Sequence, residues 1–354
     1  MSTRVLMKGN EAIAEAAVRA GCRHYFGYPI TPQTEIMHYM ARRMVEAGGV
    51  MVQAESEIAA INMVYGAAAA GARALTTSSS PGISLKQEGF SYIAGAELPA
   101  VVVNIVRAGP GLGGILPAQG DYFQATKGGG HGDYRNVVLA PASVQELYEL
   151  TVEAFNIADR YRILTMVLGD GTLGQMMEPV TFRDSEPIEE VDKSWAVTGT
   201  NARRTHNTIQ SIYIEADALE ALNNKLLAKY QIISDRELRV EMVNCDDAEI
   251  IMVAYGTCSR ICRNVIRQAA DAGIKVGLVR PITLWPFPEA MIAGIASRPS
   301  IKALLAVELS TGQMVEDVRL AVNGQKPVFF YGRTGGNLPT QKEILDKIRS
   351  IVRS

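Results

Sequence analysis

Residues 100–114 read AVVVNIVRAGPGLGG: an apolar run interrupted only by Asn104, one arginine, then glycines. A strand with one face in water alternates polar and apolar positions. A run apolar at nearly every position suits a strand covered on both faces, which means a parallel sheet. Similar runs lie on either side, at His24–Phe26, Val50–Gln53, Ala74–Thr77 and Ile163–Leu168. Helical patterns with start signals separate them. Thr31 followed by Pro32 predicts a cap and a first-turn proline before Ile36, Met37, Met40 and Met44. Ser143-Val-Gln-Glu146 predicts a capping box ahead of Leu147, Leu150, Ala154 and Ile157. Alternation of this kind predicts a doubly wound α/β sheet over residues 1–182.

The composition then shifts. Residues 183–247 are rich in charge and amide, with one isolated helical stretch near 209–230, and read as a linker with a docking helix. Residues 248–354 read as a second α/β unit. Its strands are expected at Glu249–Tyr255, Lys275–Val279, Ala303–Glu308 and Val328–Tyr331, with a helix stopping at Ala272-Gly273.

A chain of 354 residues exceeds one ordinary core. Apolar residues make up 47%, charged residues 20%, and mean hydropathy is +0.06, which excludes disorder. Lys+Arg 35 against Asp+Glu 37 leaves no cationic surplus for a nucleic-acid backbone. No apolar run is long enough to span a membrane, and the charged opening segment MSTRVLMKGNEAIAEAAVRAG lacks the apolar region of a signal peptide. Four scattered cysteines make no disulfide framework and point to the reducing cytoplasm.

Several motifs fail on context. Gly109-Pro-Gly111-Leu-Gly113-Gly114 fits GxGxxG, but a dinucleotide site needs a helix to open there. Pro117 and Gly120 follow instead, so a glycine loop bordering another site is expected; a nicotinamide-dependent dehydrogenase is the competing class. Gly169-Asp170-Gly171 matches half of the diphosphate and Mg²⁺ motif of thiamine diphosphate enzymes. The only Asn-Asn pair, Asn223-Asn224, lies too far on and within the docking helix, so Asp170 reads as a strand-end turn residue. Cys258 and Cys262 have no CxxC companions and read as buried thiols, not as cluster or zinc ligands.

Chemistry concentrates where strands end. Thr31, in Tyr28-Pro29-Ile30-Thr31-Pro32, is a plain cap or part of a carboxylate site at a helix dipole. Glu57 opens a helix whose next turns (Ala59, Ala60, Ile61, Val64, Ala67) are apolar. It is a dipole partner or a buried acid with a task. Arg107 can fork onto a ligand carboxylate or serve a structural ion pair. Ser80 sits among turn-forming hydroxyls, and His131 in the polar glycine loop Gly128–Asp133.

Five segments resemble the α subunit of 2-oxoacid:ferredoxin oxidoreductases, nearest the branched-chain (2-oxoisovalerate, or 3-methyl-2-oxobutanoate) type. They are YFGYPITP, QAESEIAAINMVYGAAAAGARA, SSSPGISL, GDYFQATKGGGHGDY and LGDGTLGQMMEP; RPITLWPFP and VELSTGQMVEDVRLAV continue the likeness. The resemblance implies a pyrimidine-type thiamine-diphosphate-binding domain and a transketolase C-terminal-like α/β domain. It implies oxidative decarboxylation of a 2-oxo acid to acyl-CoA and CO2, with electrons passed to ferredoxin. The cofactor would be shared with a β subunit carrying Mg²⁺ and a [4Fe–4S] cluster. A γ subunit and a cluster-bearing, ferredoxin-like δ subunit would complete the assembly, with no metal on this chain. Glu57 matches the glutamate that hydrogen-bonds the aminopyrimidine. Pro29, Ile30 and Ser80 fall among the cofactor contacts. Thr31 and Arg107 match contacts to the substrate carboxylate, and His131 neighbours the substrate pocket or coenzyme A. Pyruvate and 2-oxoglutarate are alternative substrates; the second carboxylate of 2-oxoglutarate would need a further cation from Lys127, Arg135 or His131. A non-catalytic scaffold subunit is the remaining alternative.

Overall fold

The computed structural model describes residues 4–200 and 203–353. Its first half contains β1 (Arg4–Lys8), α1 (Gly9–Arg19), β2 (His24–Gly27), α2 (Thr34–Glu46), β3 (Val50–Gln53), α3 (Glu57–Ala69), β4 (Ala74–Ser78), α4 (Ser80–Gly95) and β5 (Ala100–Val106). A long loop leads to α5 (Tyr122–Thr126), β6 (Val137–Leu139), α6 (Val144–Tyr161), β7 (Leu164–Asp170), α7 (Gly171–Gln175) and β8 (Met177–Thr181). Then come α8 (Ala216–Glu237), β9 (Val240–Val243), β10 (Ile250–Val253), α9 (Gly256–Asp271), β11 (Val276–Pro281) and β12 (Thr283–Trp285). The chain closes with α10 (Glu289–Ala296), β13 (Ala303–Glu308), α11 (Met314–Val322), β14 (Val328–Gly332) and α12 (Gln341–Arg353).

The first sheet has the order β12-β6-β7-β5-β4-β2-β3, parallel except for β12. All seven residues of β5 and of β7 are buried, as continuous apolar runs require. Alternate residues of β5 point to opposite faces. Val101, Val103 and Ile105 pack with Ile13 of α1, Met40 of α2 and Leu147 of α6. Val102 and Val106 pack with Ile61 of α3 and Phe90 of α4. The second sheet has the order β14-β13-β10-β11-β9, with β9 antiparallel. β1 and β8 form a separate antiparallel ribbon.

Two strands lie across the divisions expected from sequence. β9, within 183–247, pairs with β11 of the second sheet, and β12, within 248–354, pairs with β6 of the first. One apolar core also runs from α3 and α4 into β13 and α11. The helix expected near 209–230 spans Ala216–Glu237. The capping box before α6 forms in altered shape. Ser143 Oγ accepts the Glu146 N–H at 3.1 Å, but the Glu146 carboxylate takes the Ala142 N–H and the fork of buried Arg280. The glycine stop after α9 is present, with Gly273 at φ +73°.

In each sheet the chain leaves two neighbouring parallel strands toward opposite faces. A crevice opens at such a point beyond the strand ends. In the first sheet it lies between β2, which leads to α2, and β4, which leads to α4. In the second it lies between β10 and β13, and Gln119 from the long loop fills it. Gln119 N–H donates to Leu309 O (2.8 Å), Leu309 N–H donates to Gln119 Oε1 (3.0 Å), and Gln119 Nε2 donates to Tyr255 O (3.0 Å). The first crevice therefore carries the candidate site.

Candidate active site

The loop after β2 departs from the sequence expectation. Thr31–Pro32 is a cis peptide in a turn closed by the Gln33 N–H on Ile30 O at 3.1 Å. Helix α2 starts only at Thr34, with Gln33 at its N-cap. Thr31 thus caps nothing; a proline at the third position of a turn leaves the residue before it outside the helix. Thr31 and Pro29 are exposed, and Ile30 is half-buried, at the crevice mouth. Buried groups hold the loop from below. Tyr25 Oη meets Thr77 Oγ1 at 2.7 Å, Thr77 Oγ1 donates to Gln33 Oε1 at 2.5 Å, and Gln33 Nε2 donates to Tyr28 O at 3.2 Å.

Arg107 follows β5 and is 7% exposed. Its Nη1 donates to Thr31 O (3.0 Å) and its Nη2 to Leu112 O (2.8 Å), while Nε is buried with no partner. Among the described residues no carboxylate pairs with it, so the ion-pair reading of its sequence finds no acid. A buried cation held only by carbonyls is costly until an anion meets it. Ser80 fixes its backbone: Ser80 Oγ accepts the Arg107 N–H (3.1 Å) and donates to Arg107 O (3.2 Å).

Glu57 begins α3, is 6% exposed, and follows Ser56, whose hydroxyl accepts the Ala59 N–H. Its carboxylate has no hydrogen-bond partner among the described residues. Gly82 of α4 makes room for it: a Cβ there would overlap Ser78 Oγ and stand 2.6 Å from Glu57 Oε1. Thr76 Oγ1, Ser78 Oγ and Ser79 Oγ are buried nearby on the same strand end without partners. Lys86, also on α4, is fully buried and donates from Nζ to Glu57 O at 3.2 Å. Gln33 and Lys86 have no part in the sequence reading, and Thr77 enters it only within the run of hydroxyls before Ser80. The one available signal was the helical spacing of Gly82, Lys86 and Gly89, which puts a lysine on an otherwise close-packed face.

His131 is elsewhere. It is exposed beside the later turns of α4, with Nδ1 3.3 Å from Ser91 Oγ and its ring edge-on to Tyr92. Lys127 pairs with Asp317 at 2.5 Å, and Arg135 lines a separate cleft with Trp285. Asp170 caps α7 by accepting the Thr172 and Leu173 N–H groups, and burial pushes its carboxyl up. Gly109–Gly114 opens no helix; the next one begins at Tyr122. Burial raises the thiols of Cys22, Cys245, Cys258 and Cys262. No group of three His, Cys, Asp or Glu able to hold a metal occurs among the described residues.

The crevice thus offers an unpartnered carboxylate, an unpartnered cation and three orphaned hydroxyls. That donor set fits the polar edge of an aminopyrimidine next to an anionic carboxylate. A family model described as pyruvate flavodoxin/ferredoxin oxidoreductase, thiamine diphosphate-binding, matches residues 15–241. The chain belongs to this 2-oxoacid:ferredoxin oxidoreductase family. A second model, pyruvate:ferredoxin oxidoreductase core domain II, matches residues 248–344. Ketoisovalerate oxidoreductase subunit VorB of Methanothermobacter thermautotrophicus is 53% identical over 98% of this chain and 97% of its own length. A structure of 2-oxoglutarate:ferredoxin oxidoreductase from Magnetococcus marinus, with 2-oxoglutarate, coenzyme A and succinyl-CoA bound, superposes at TM-score 0.87 with 26% identity. That match covers 99% of this chain and 65% of the other. A split-gene transketolase shares the fold at TM-score 0.58 and 11% identity. The family is thiamine-diphosphate-dependent and multi-subunit, and this chain is one subunit of such an enzyme.

Proposed function

We propose that this chain is the α subunit that supplies the aminopyrimidine half of the thiamine diphosphate site, in an enzyme that converts 2-oxoisovalerate and coenzyme A to acyl-CoA and CO2 with ferredoxin as electron acceptor. The observation that carries this is Arg107, a buried guanidinium with no acid partner, in one crevice with the unpartnered Glu57 carboxylate. Thiamine diphosphate, when bound, supplies the carbon nucleophile and takes up the electron pair left by CO2. Glu57 would accept a hydrogen bond from the pyrimidine ring and so support proton removal on the cofactor. Burial strengthens that bond. Arg107, set by Ser80 and Thr31 O, holds the carboxylate of the oxo acid. Pro29, Ile30 and Thr31 border the ligand at the mouth. Ser80, expected from sequence among the cofactor contacts, acts here by fixing the Arg107 main chain, and His131 stands outside this crevice, as a neighbour for coenzyme A.

The identity to VorB supports the branched-chain substrate. So does the placement of the three spare cations: Lys127 on Asp317, Arg135 beside Trp285 and His131 on Ser91. None of these contacts belongs to the Arg107 crevice, where the second carboxylate of 2-oxoglutarate would seek one. Rates of the purified complex on 2-oxoisovalerate, pyruvate and 2-oxoglutarate test this. The highest kcat/KM is expected for 2-oxoisovalerate, and a preference for 2-oxoglutarate overturns it.

We place Mg²⁺, the diphosphate site and a [4Fe–4S] cluster on a β subunit, with γ and cluster-bearing δ subunits completing the complex. Asp170 spent on capping α7 and four buried thiols support that division. Leu112, Ile115 and Leu116, exposed on the loop that holds Arg107, suit a covering partner. The chain divides into units 1–182, 183–247 and 248–354, with β9 and β12 exchanged between sheets. No helix among the described residues is long and apolar enough to cross a membrane; free cysteines favour the cytoplasm.

A further inference from the structure

A lysine with no exposed surface is rare unless something pairs with it. Lys86 is such a residue, and it makes no ion pair among the described residues. Among the described residues its one hydrogen bond runs from Nζ to the main-chain oxygen of Glu57. The face of α4 that carries it is shaped to α3. Gly82, one turn before, leaves space for the Glu57 carboxylate. Gly89, one turn after, leaves space for Ile61: a Cβ there would stand 2.6 Å from Ile61 Cγ2. Lys86 is thus the polar group between two glycines, at the turn where Glu57 begins its helix. Burial pushes its ammonium down to about 8, and the Glu57 carboxylate works against that fall. An ammonium at about 8 is still mostly charged at neutral pH.

We propose that Lys86 is a positioning residue for Glu57: it pins the first turn of α3 and places a buried positive charge beside it, which keeps the Glu57 carboxylate aimed at the aminopyrimidine. This rests on the reading of Glu57 given above. The ammonium bonds the main chain of Glu57 and so leaves the carboxylate oxygens free for the pyrimidine. Arg107 has a separate task on the oxo acid, and no contact joins it to Glu57 among the described residues.

The test is a double-mutant cycle on thiamine diphosphate affinity in the assembled complex, with Lys86→Met, Glu57→Gln and the pair. Lys86→Met should raise the Kd for thiamine diphosphate by about tenfold and lower kcat, and its effect should largely vanish in the Glu57→Gln background, because the two act through one contact. The KM for the oxo acid should stay unchanged, as a general loosening of the crevice would not allow. If Lys86→Met fails to assemble, Lys86→Gln, equally uncharged, carries the same cycle. A Lys86 effect of the same size in both backgrounds, or none, overturns the proposal while leaving Glu57 in place. Normal cofactor affinity and turnover in Glu57→Gln alone would instead remove the reading of Glu57.

Discussion

Arg107 shows how little a single residue's sequence context decides. A lone arginine at a strand end reads equally as ligand fork or ion-pair partner, and only the missing acid separates the two. Arg107→Ala should raise the KM for the oxo acid by roughly 10- to 100-fold, the worth of hydrogen bonds to a charged group, with a smaller change in kcat. An unchanged KM in steady-state kinetics would remove it from the site. Glu57 and Arg107 were legible because an acid or a cation beside apolar and glycine-rich stretches is conspicuous. Lys86 was not, since Leu85-Lys86-Gln87-Glu88 looks like a solvated helix face. Thr31 was misread for a physical reason. A Thr-Pro pair ahead of an apolar period signals a cap, and the cis turn that moves the helix start to Thr34 has no local signature.

At the scale of elements, the α3–α4 contact decides how exactly Glu57 is placed. Gly89→Ala should destabilise the protein by about 1–3 kcal/mol, since the added methyl meets Ile61 in a packed core. Thermal unfolding measures it, and an unchanged Tm would mean the helices can part at little cost. Ser56→Ala, which removes the α3 cap, should cost about 1 kcal/mol by the same measurement. The long buried strands β5 and β7 were readable from their continuous apolar runs. β6, β9 and β12 were not; β9 and β12 pair across the divisions expected from sequence, which no local pattern announces.

On the scale of the whole molecule, Gln119 joins the two units by filling the second crevice. Gln119→Ala should strand Tyr255 O and the Leu309 N–H, cost about 1–3 kcal/mol per buried group, and loosen the docking. Faster proteolytic cleavage within 108–121 would report that loosening; an unaltered cleavage rate would mean other contacts suffice. The family was legible from long segments of the chain, whereas the shared core between units depends on tertiary packing that sequence pattern does not encode.

The central claim is that this chain brings the acid of a shared cofactor site. Turnover of 2-oxoisovalerate by the complex carrying Glu57→Gln tests it most directly. The amide keeps shape and assembly but cannot hold the proton, so the rate should fall by about 10²-fold or more. A complex that assembles and turns over at nearly the wild-type rate would contradict it.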